Sequence, residues 1–146
     1  MDFQDIPITV FIPQRPPFVM VDKVLSCNLS EAITQLIVCE DNIFLDDNRL
    51  SPAGMLENMA QSCAARMGCV NRMHNEAIKI GFIGDIRDFT ILRQPLCHDI
   101  LRTRVQIIEE VFNLTLAFVT IYLGEEPIAT ARMKIALTDM EASGYE

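Results

Sequence analysis

Residues 51–70 read SPAGMLENMAQSCAARMGCV. Ser51 stands where an N-cap belongs, and Pro52 follows at the first helical position, where its missing N–H costs nothing. Met55, Leu56, Met59, Ala60, Cys63, Ala64 and Met67 recur at three- and four-residue spacing, the apolar stripe of an amphipathic helix. The spacing predicts a helix over about 52–70, ending at Gly68 or at the polar run from Asn71. Glu57 sits at the edge of the stripe with Gln61 one turn later, and Ala64 and Gly68 continue that side with almost no bulk. Two readings of Glu57 stay open. It is a carboxylate at the solvent edge or satisfied by backbone N–H groups, or it is a general acid or base at the wall of a narrow channel.

Around this helix the chain is mostly strand-like. Ala32–Cys39 follows Val19–Cys27 across a turn at Asn28, Ser30 and Glu31, and both read as strands. Before them, Pro7, Pro13, Pro16 and Pro17 make residues 1–17 an extended or turning lead-in. Residues 41–50, DNIFLDDNRL, read as irregular with an apolar anchor at Ile43, Phe44 and Leu45. Beyond the helix, Asn71–Glu76 reads as a loop. Ile78–Thr90 is a strand broken by Gly81 and Gly84, which suggests a bulge or a close approach to the backbone. Arg93–Asp99 is a loop around Pro95, and Ile100–Phe112, Leu114–Leu123 and Ile128–Thr138 are strands divided at Asn113 and Gly124–Pro127. Residues 139–146 read as a frayed tail. Two strands, one helix and four strands imply an α+β chain with the helix on one face of an antiparallel sheet.

The chain has 146 residues, 50% of them hydrophobic, enough for one domain with a sizeable core, and its 8 Met and lack of Trp make that core pliable. A net charge of −8 argues against nucleic acid as a partner. No apolar run is long enough for a membrane span, and the acidic start MDFQDIPITV lacks the basic region of a secretory signal, so a cytoplasmic location is expected. The five cysteines, Cys27, Cys39, Cys63, Cys69 and Cys97, show no C-x-x-C pair; free and mostly buried thiols are expected, with no metal and no cofactor.

Three local motifs carry a resemblance. Ile12-Pro13-Gln14-Arg15-Pro16-Pro17-Phe18 leads into Val19-Met20-Val21-Asp22-Lys23-Val24; Leu56-Glu57-Asn58-Met59-Ala60-Gln61 lies on the helix; and Gly84-Asp85-Ile86-Arg87-Asp88-Phe89 precedes Arg93-Gln94-Pro95 and Asp99. In this order they resemble the hotdog superfamily, and within it the β-hydroxyacyl-ACP dehydratases and their relatives in aryl-polyene and flexirubin pathways. The resemblance implies a curved antiparallel sheet wrapped around one long helix. It also implies a dimer joined edge to edge, homodimeric or with a second hotdog subunit, and an acyl-ACP or acyl-CoA thioester as ligand. It makes Glu57 the acid/base, with Gly54, Gln61, Asn48, Gly84 and Phe89 around the thioester.

The match departs where such dehydratases place a His ahead of the helix. Here that segment is Asp46-Asp47-Asn48-Arg49-Leu50, and Gln14 stands where a His is common in the opening motif. The only histidines, His74 and His98, follow the helix. Dehydrating a 3-hydroxyacyl thioester needs a base for the α proton, an acid for the leaving hydroxyl, and N–H donors on the carbonyl. The helix start at Ala53-Gly54 offers donors, Gly84 offers room for the thioester, and Glu57 offers one proton-transfer group. Neutral Asn48 cannot exchange a proton near pH 7. Asp46, Asp47 or His98 serves only if the fold brings it to the channel. Three functions follow: a 3-hydroxyacyl thioester dehydratase using Glu57, a non-catalytic acyl-binding partner of an active hotdog subunit, or a thioesterase in which Glu57 alone activates water. Arg102 with Arg104, and Arg132 with Lys134, share strand faces that fit an acidic carrier or simply face solvent.

Overall fold

A computed structural model describes residues 2–76 and 79–141. In chain order the elements are β1 (Lys23–Cys27), β2 (Glu31–Ile37), β3 (Leu45–Asp46), β4 (Arg49–Leu50), α1 (Pro52–Met73), β5 (Lys79–Ile91), β6 (Ile100–Val111), β7 (Leu114–Leu123) and β8 (Glu126–Glu141). Six strands form one antiparallel sheet in the order β1-β2-β6-β7-β8-β5, and β3 with β4 form a separate short hairpin. The helix touches β1, β2, β5, β6 and β7, strands from both ends of the sheet. A flat sheet could not do this; the sheet curls around α1, helped by register breaks in the β1–β2, β5–β8, β6–β7 and β7–β8 pairs.

Met55, Met59, Cys63 and Met67 fall every four residues on the helix and are all buried against the sheet. Ala117, Ala129 and Ala131 face them from β7 and β8, so small strand residues leave room for long thioethers. The opposite side of α1 is buried too. Phe3, Ile8, Phe11, Ile12, Val21 and Val24 close over Ala65 and Cys69 as a second core, with Phe3 and Phe11 edge to face at 6.0 Å. The proline-marked lead-in is therefore a wall of the interior.

Several boundaries differ from the sequence reading, each for a physical reason. Ser51 caps the helix as expected, accepting from Gly54 N at 3.2 Å, but the helix runs through Gly68 to Met73. Gly68 does not stop it. A Cβ there would lie 2.5 Å from Phe11 O, so the glycine admits the lead-in backbone. The segment read as irregular holds the β3–β4 hairpin, whose turn residues Asp47 and Asn48 have φ of 52° and 64°, the turn geometry that Asp and Asn tolerate. β8 continues to Glu141, so the expected tail is strand over 139–141. Ile78 and residues 142–146 lie outside the described residues. All five cysteines are free; Cys63 and Cys69 are buried, and Cys39 is exposed.

The thirteen-residue β5 forms one border of the sheet, with Phe82 and Ile86 exposed on it. Among the described residues no strand pairs with its outer flank.

Candidate active site

Glu57 lies half-buried in the first half of α1. Its Oε1 accepts from Gln61 Nε2 at 2.8 Å, an i, i+4 contact along one helix face. Gln61 is itself held hard: Nε2 also donates to Phe18 O at 2.8 Å, and its Oε1 accepts from Met20 N at 2.6 Å. The glutamine thus straps segment 18–20 to the helix and fixes the direction of the carboxylate; this segment, read as the start of a strand at Val19, is irregular, and β1 begins only at Lys23. Among the described residues nothing donates to the other Glu57 oxygen.

Further along the same face, Ala60 and Ala64 open a hollow of about 70 Å³ that Phe11, Pro13 and Gln14 bound from the lead-in and Gly81 and Ile83 from β5. Its floor includes Cys63, whose thiol lies 3.9 Å from Met133 Sδ. Complete burial pushes that thiol up to about 12, so it is not a nucleophile near neutrality. Gly81 has no room for a side chain, since a Cβ would come within 2.9 Å of Ile135. The low-bulk side of the helix that Ala64 and Gly68 continue is covered at Gly68 by Phe11.

The remaining residues singled out in the sequence are spread more widely. Gly54 opens the helix with its N–H given to Ser51, and a Cβ would meet Phe44 at 2.6 Å and Leu50 at 2.7 Å. Asn48 is exposed at the hairpin turn, its carbonyl accepting from Cys97 N. Gly84 is exposed on β5, where a Cβ would meet only Lys134 O at 3.8 Å, an ordinary contact, and Phe89 packs against the main core near the end of that strand. Asp46 and Asp47 are exposed beside Asn48. His98 is exposed with φ 77° and contacts Glu40 Oε1 at 3.2 Å. His74 caps the far end of the helix, 17 residues and about 25 Å from Glu57.

Periodicity gave no warning of a polar seam through the core. Asn58 donates to Met20 O at 2.8 Å and accepts from Thr103 Oγ1 at 2.6 Å. Ser62 donates to Asn58 O, and Thr34 to Ser62. Thr34 and Thr103 are register partners across β2 and β6, so the seam fixes how α1 is seated on those strands. Arg66 is also buried, reaching Leu29 O at 2.7 Å and Glu110 at 3.0 Å.

A larger hollow of about 300 Å³ lies on the outer sheet face, away from α1, along Arg87, Ile108, Leu116, Arg132 and Lys134. Its charges are largely matched within the chain, Arg87 with Asp85 at 2.7 Å and Arg132 with Asp88 at 3.8 Å, and Arg104 on the same face with Glu31 at 2.7 Å. It contains no acid–base pair placed for chemistry among the described residues, and the hollow at Ala60 and Ala64, on the helix face that carries Glu57, is the better candidate site. Gln61 fixes the direction of the Glu57 carboxylate on the same helix face, one turn before Ala60 and two before Ala64.

A family model described as ApeP-like, ApeP dehydratase, matches residues 6–144. No curated protein matches the sequence. Among solved structures, the chain is similar to the dehydratase heterocomplex ApeI:P from Xenorhabdus doucetiae, with a TM-score of 0.85 at 17% identity over 92% of each chain. It is also similar to Cj0977, a sigma28-regulated virulence protein from Campylobacter jejuni (TM-score 0.69, 11% identity, 92% of this chain and 88% of that one). A hypothetical thioesterase with coenzyme A from Streptococcus pneumoniae TIGR4 matches at TM-score 0.66 and 8% identity over 81% of this chain and 86% of that one. At these identities the structures establish the hotdog fold.

Proposed function

The chain belongs to the ApeP-like dehydratase family, and from that premise we propose that it handles 3-hydroxyacyl thioesters, on an acyl carrier protein or coenzyme A, as a dehydratase subunit with Glu57 as its acid/base. The observation that carries this reading is the half-buried Glu57 carboxylate, aimed by Gln61 and set on the same helix face as the hollow at Ala60 and Ala64. Glu57 takes the proton α to the thioester carbonyl, and the small side chains beyond it leave space for the acyl carbons.

No histidine meets Glu57 among the described residues. The second proton-transfer group, which must protonate the leaving hydroxyl, comes in this reading from another hotdog subunit seated along the free flank of β5, which borders the hollow through Gly81 and Ile83. The similarity to a heterocomplex supports a partner of different sequence, although a second copy of this chain fits the same flank. The missing histidine equally favours a second reading, in which this chain holds the acyl group or lends its surface to an active hotdog subunit and the partner does all the chemistry.

Hydration of a trans-2-enoyl thioester, measured for the wild-type chain and Glu57→Gln, alone and mixed with a candidate hotdog partner, separates these readings. The dehydratase reading expects activity that falls at least a hundredfold in Glu57→Gln. Equal rates in the mixed complexes leave the non-catalytic reading, and release of free thiol from a saturated acyl thioester identifies a thioesterase.

A further inference from the structure

Two thiols that the proposed chemistry leaves unused meet between the sheet and the helix. Cys27 ends β1, the border strand opposite β5, and is partly exposed. Cys69 is buried in the last turns of α1. Both belong to the second core, where Cys27 packs against the cluster that holds Cys69. Cys27 Sγ lies 3.8 Å from the carbonyl oxygen of Arg66, three residues before Cys69 on the same helix. A helical side chain leans back over the turn before its own Cα, which carries the Cys69 sulfur toward that carbonyl. The two sulfurs are within hydrogen-bonding reach of each other.

Their surroundings make them unequal. The hydrogen bond from Cys69 outweighs burial and, with the Arg66 guanidinium nearby, holds the Cys27 thiol below the usual range. The same bond, together with burial, pushes Cys69 up, so it keeps its proton. Cys39 is exposed, yet desolvation and the carboxylates of Asp22 and Asp41 raise it, and Cys63 is sealed in the main core. Cys27 therefore offers solvent more thiolate than an ordinary cysteine, with a second thiol directly behind it.

We propose that Cys27 and Cys69 are a peroxide-reactive pair that closes to a disulfide, a modification site apart from Glu57. The oxidant is a hydroperoxide. The Cys27 thiolate attacks one peroxide oxygen, the O–O bond breaks, and the other oxygen leaves as hydroxide or alkoxide, giving the sulfenic acid. The Cys69 sulfur then attacks the Cys27 sulfur, and the departing hydroxide takes the Cys69 proton and leaves as water. Two thiols have given up two electrons and two protons, and the peroxide is reduced to water and, from an alkyl peroxide, an alcohol. The new bond closes a loop of about 40 residues and ties α1 to β1.

The test treats the reduced full chain with hydrogen peroxide in the absence of denaturant. Remaining thiols are blocked, and the unreduced digest is mapped by mass spectrometry. The expected product is a Cys27–Cys69 cross-link, two hydrogens lighter and reversed by dithiothreitol. The urea midpoint of the oxidised chain should rise by about 1 M. Cys69→Ser, which keeps a hydrogen-bond donor, should stop at a Cys27 sulfenic acid that dimedone captures, while Cys39→Ser leaves the cross-link unchanged. Oxidation of wild type at Cys39 or Cys97 with Cys27 and Cys69 still free thiols overturns the proposal. A cross-link that lowers the midpoint marks a distorted trap and overturns it as well.

Discussion

Replacing Gln61 with Leu removes three hydrogen bonds at once, yet they do not weigh equally. The Phe18 carbonyl and the Glu57 carboxylate both lie where water reaches them, since Phe18 is 57% exposed and Glu57 half-buried. Each can exchange the amide for solvent at little cost. Met20 is 1% exposed, and its N–H, now 2.6 Å from Gln61 Oε1, has no substitute acceptor. An orphaned buried donor costs roughly 1–3 kcal/mol, partly offset by the apolar leucine, so the expected loss is about 2 kcal/mol. With a urea m-value of about 2 kcal/mol/M, the midpoint drops by about 1 M. The chain has no Trp, so urea unfolding is followed by far-UV circular dichroism. A midpoint within about 0.2 M of wild type would mean that the strap from α1 to residues 18–20 carries no weight. Coupling to Asn58→Leu adds a check, because Asn58 holds the carbonyl of the same Met20. The double variant should lose less than the sum of the two single ones.

Glu57→Gln should leave the unfolding midpoint within about 0.5 kcal/mol of wild type while enoyl-thioester hydration falls at least a hundredfold, so that lost activity cannot be blamed on lost fold. Gly68→Ala forces a methyl to within 2.5 Å of Phe11 O and should cost about 1–3 kcal/mol, read as a lower melting temperature. Phe112 is fully exposed in the two-residue β6–β7 turn with φ 56°, a position that suits glycine, and Phe112→Gly should raise stability by about 1 kcal/mol in the same melt. For Cys63, burial raises the folded-state value from 9.0 to about 12, so the native state holds its proton more tightly than the unfolded chain. The stability this contributes is complete below pH 9 and is lost as pH climbs toward 12; Cys63→Ala should flatten that alkaline decline, and iodoacetamide at pH 8 should label Cys39 but not Cys63 in the native protein.

The parts of the fold legible in the sequence were those fixed by local chemistry. The spacing from Met55 to Met67 dictates the helix and its sheet-facing side, Ser51-Pro52 its start, and the order of strands the α+β class. What escaped depends on distant residues. Gly68 resembles a helix stop until Phe11 is seen lying on it. Asn58 and Ser62 interrupt the apolar stripe as if they were surface, because their partners Thr103 and Thr34 lie 45 and 28 residues away. Prolines predicted that the lead-in avoids the sheet but not that Phe3, Ile8 and Phe11 would close the back of the helix. At the site, the Glu57–Gln61 contact follows from helical spacing alone. Gln14 could be placed beside Ala60 and Ala64 only once the lead-in had folded back across α1.

The bare flank of β5 has a consequence for handling the protein. Among the described residues no strand pairs with the outer edge of this thirteen-residue strand, and whatever zips onto it binds the native form alone. By mass action the melting temperature then rises with the amount of mate present. If a second subunit pairs there, as proposed above, the chain is least stable when dilute and alone, and the supply of that subunit sets how long it survives.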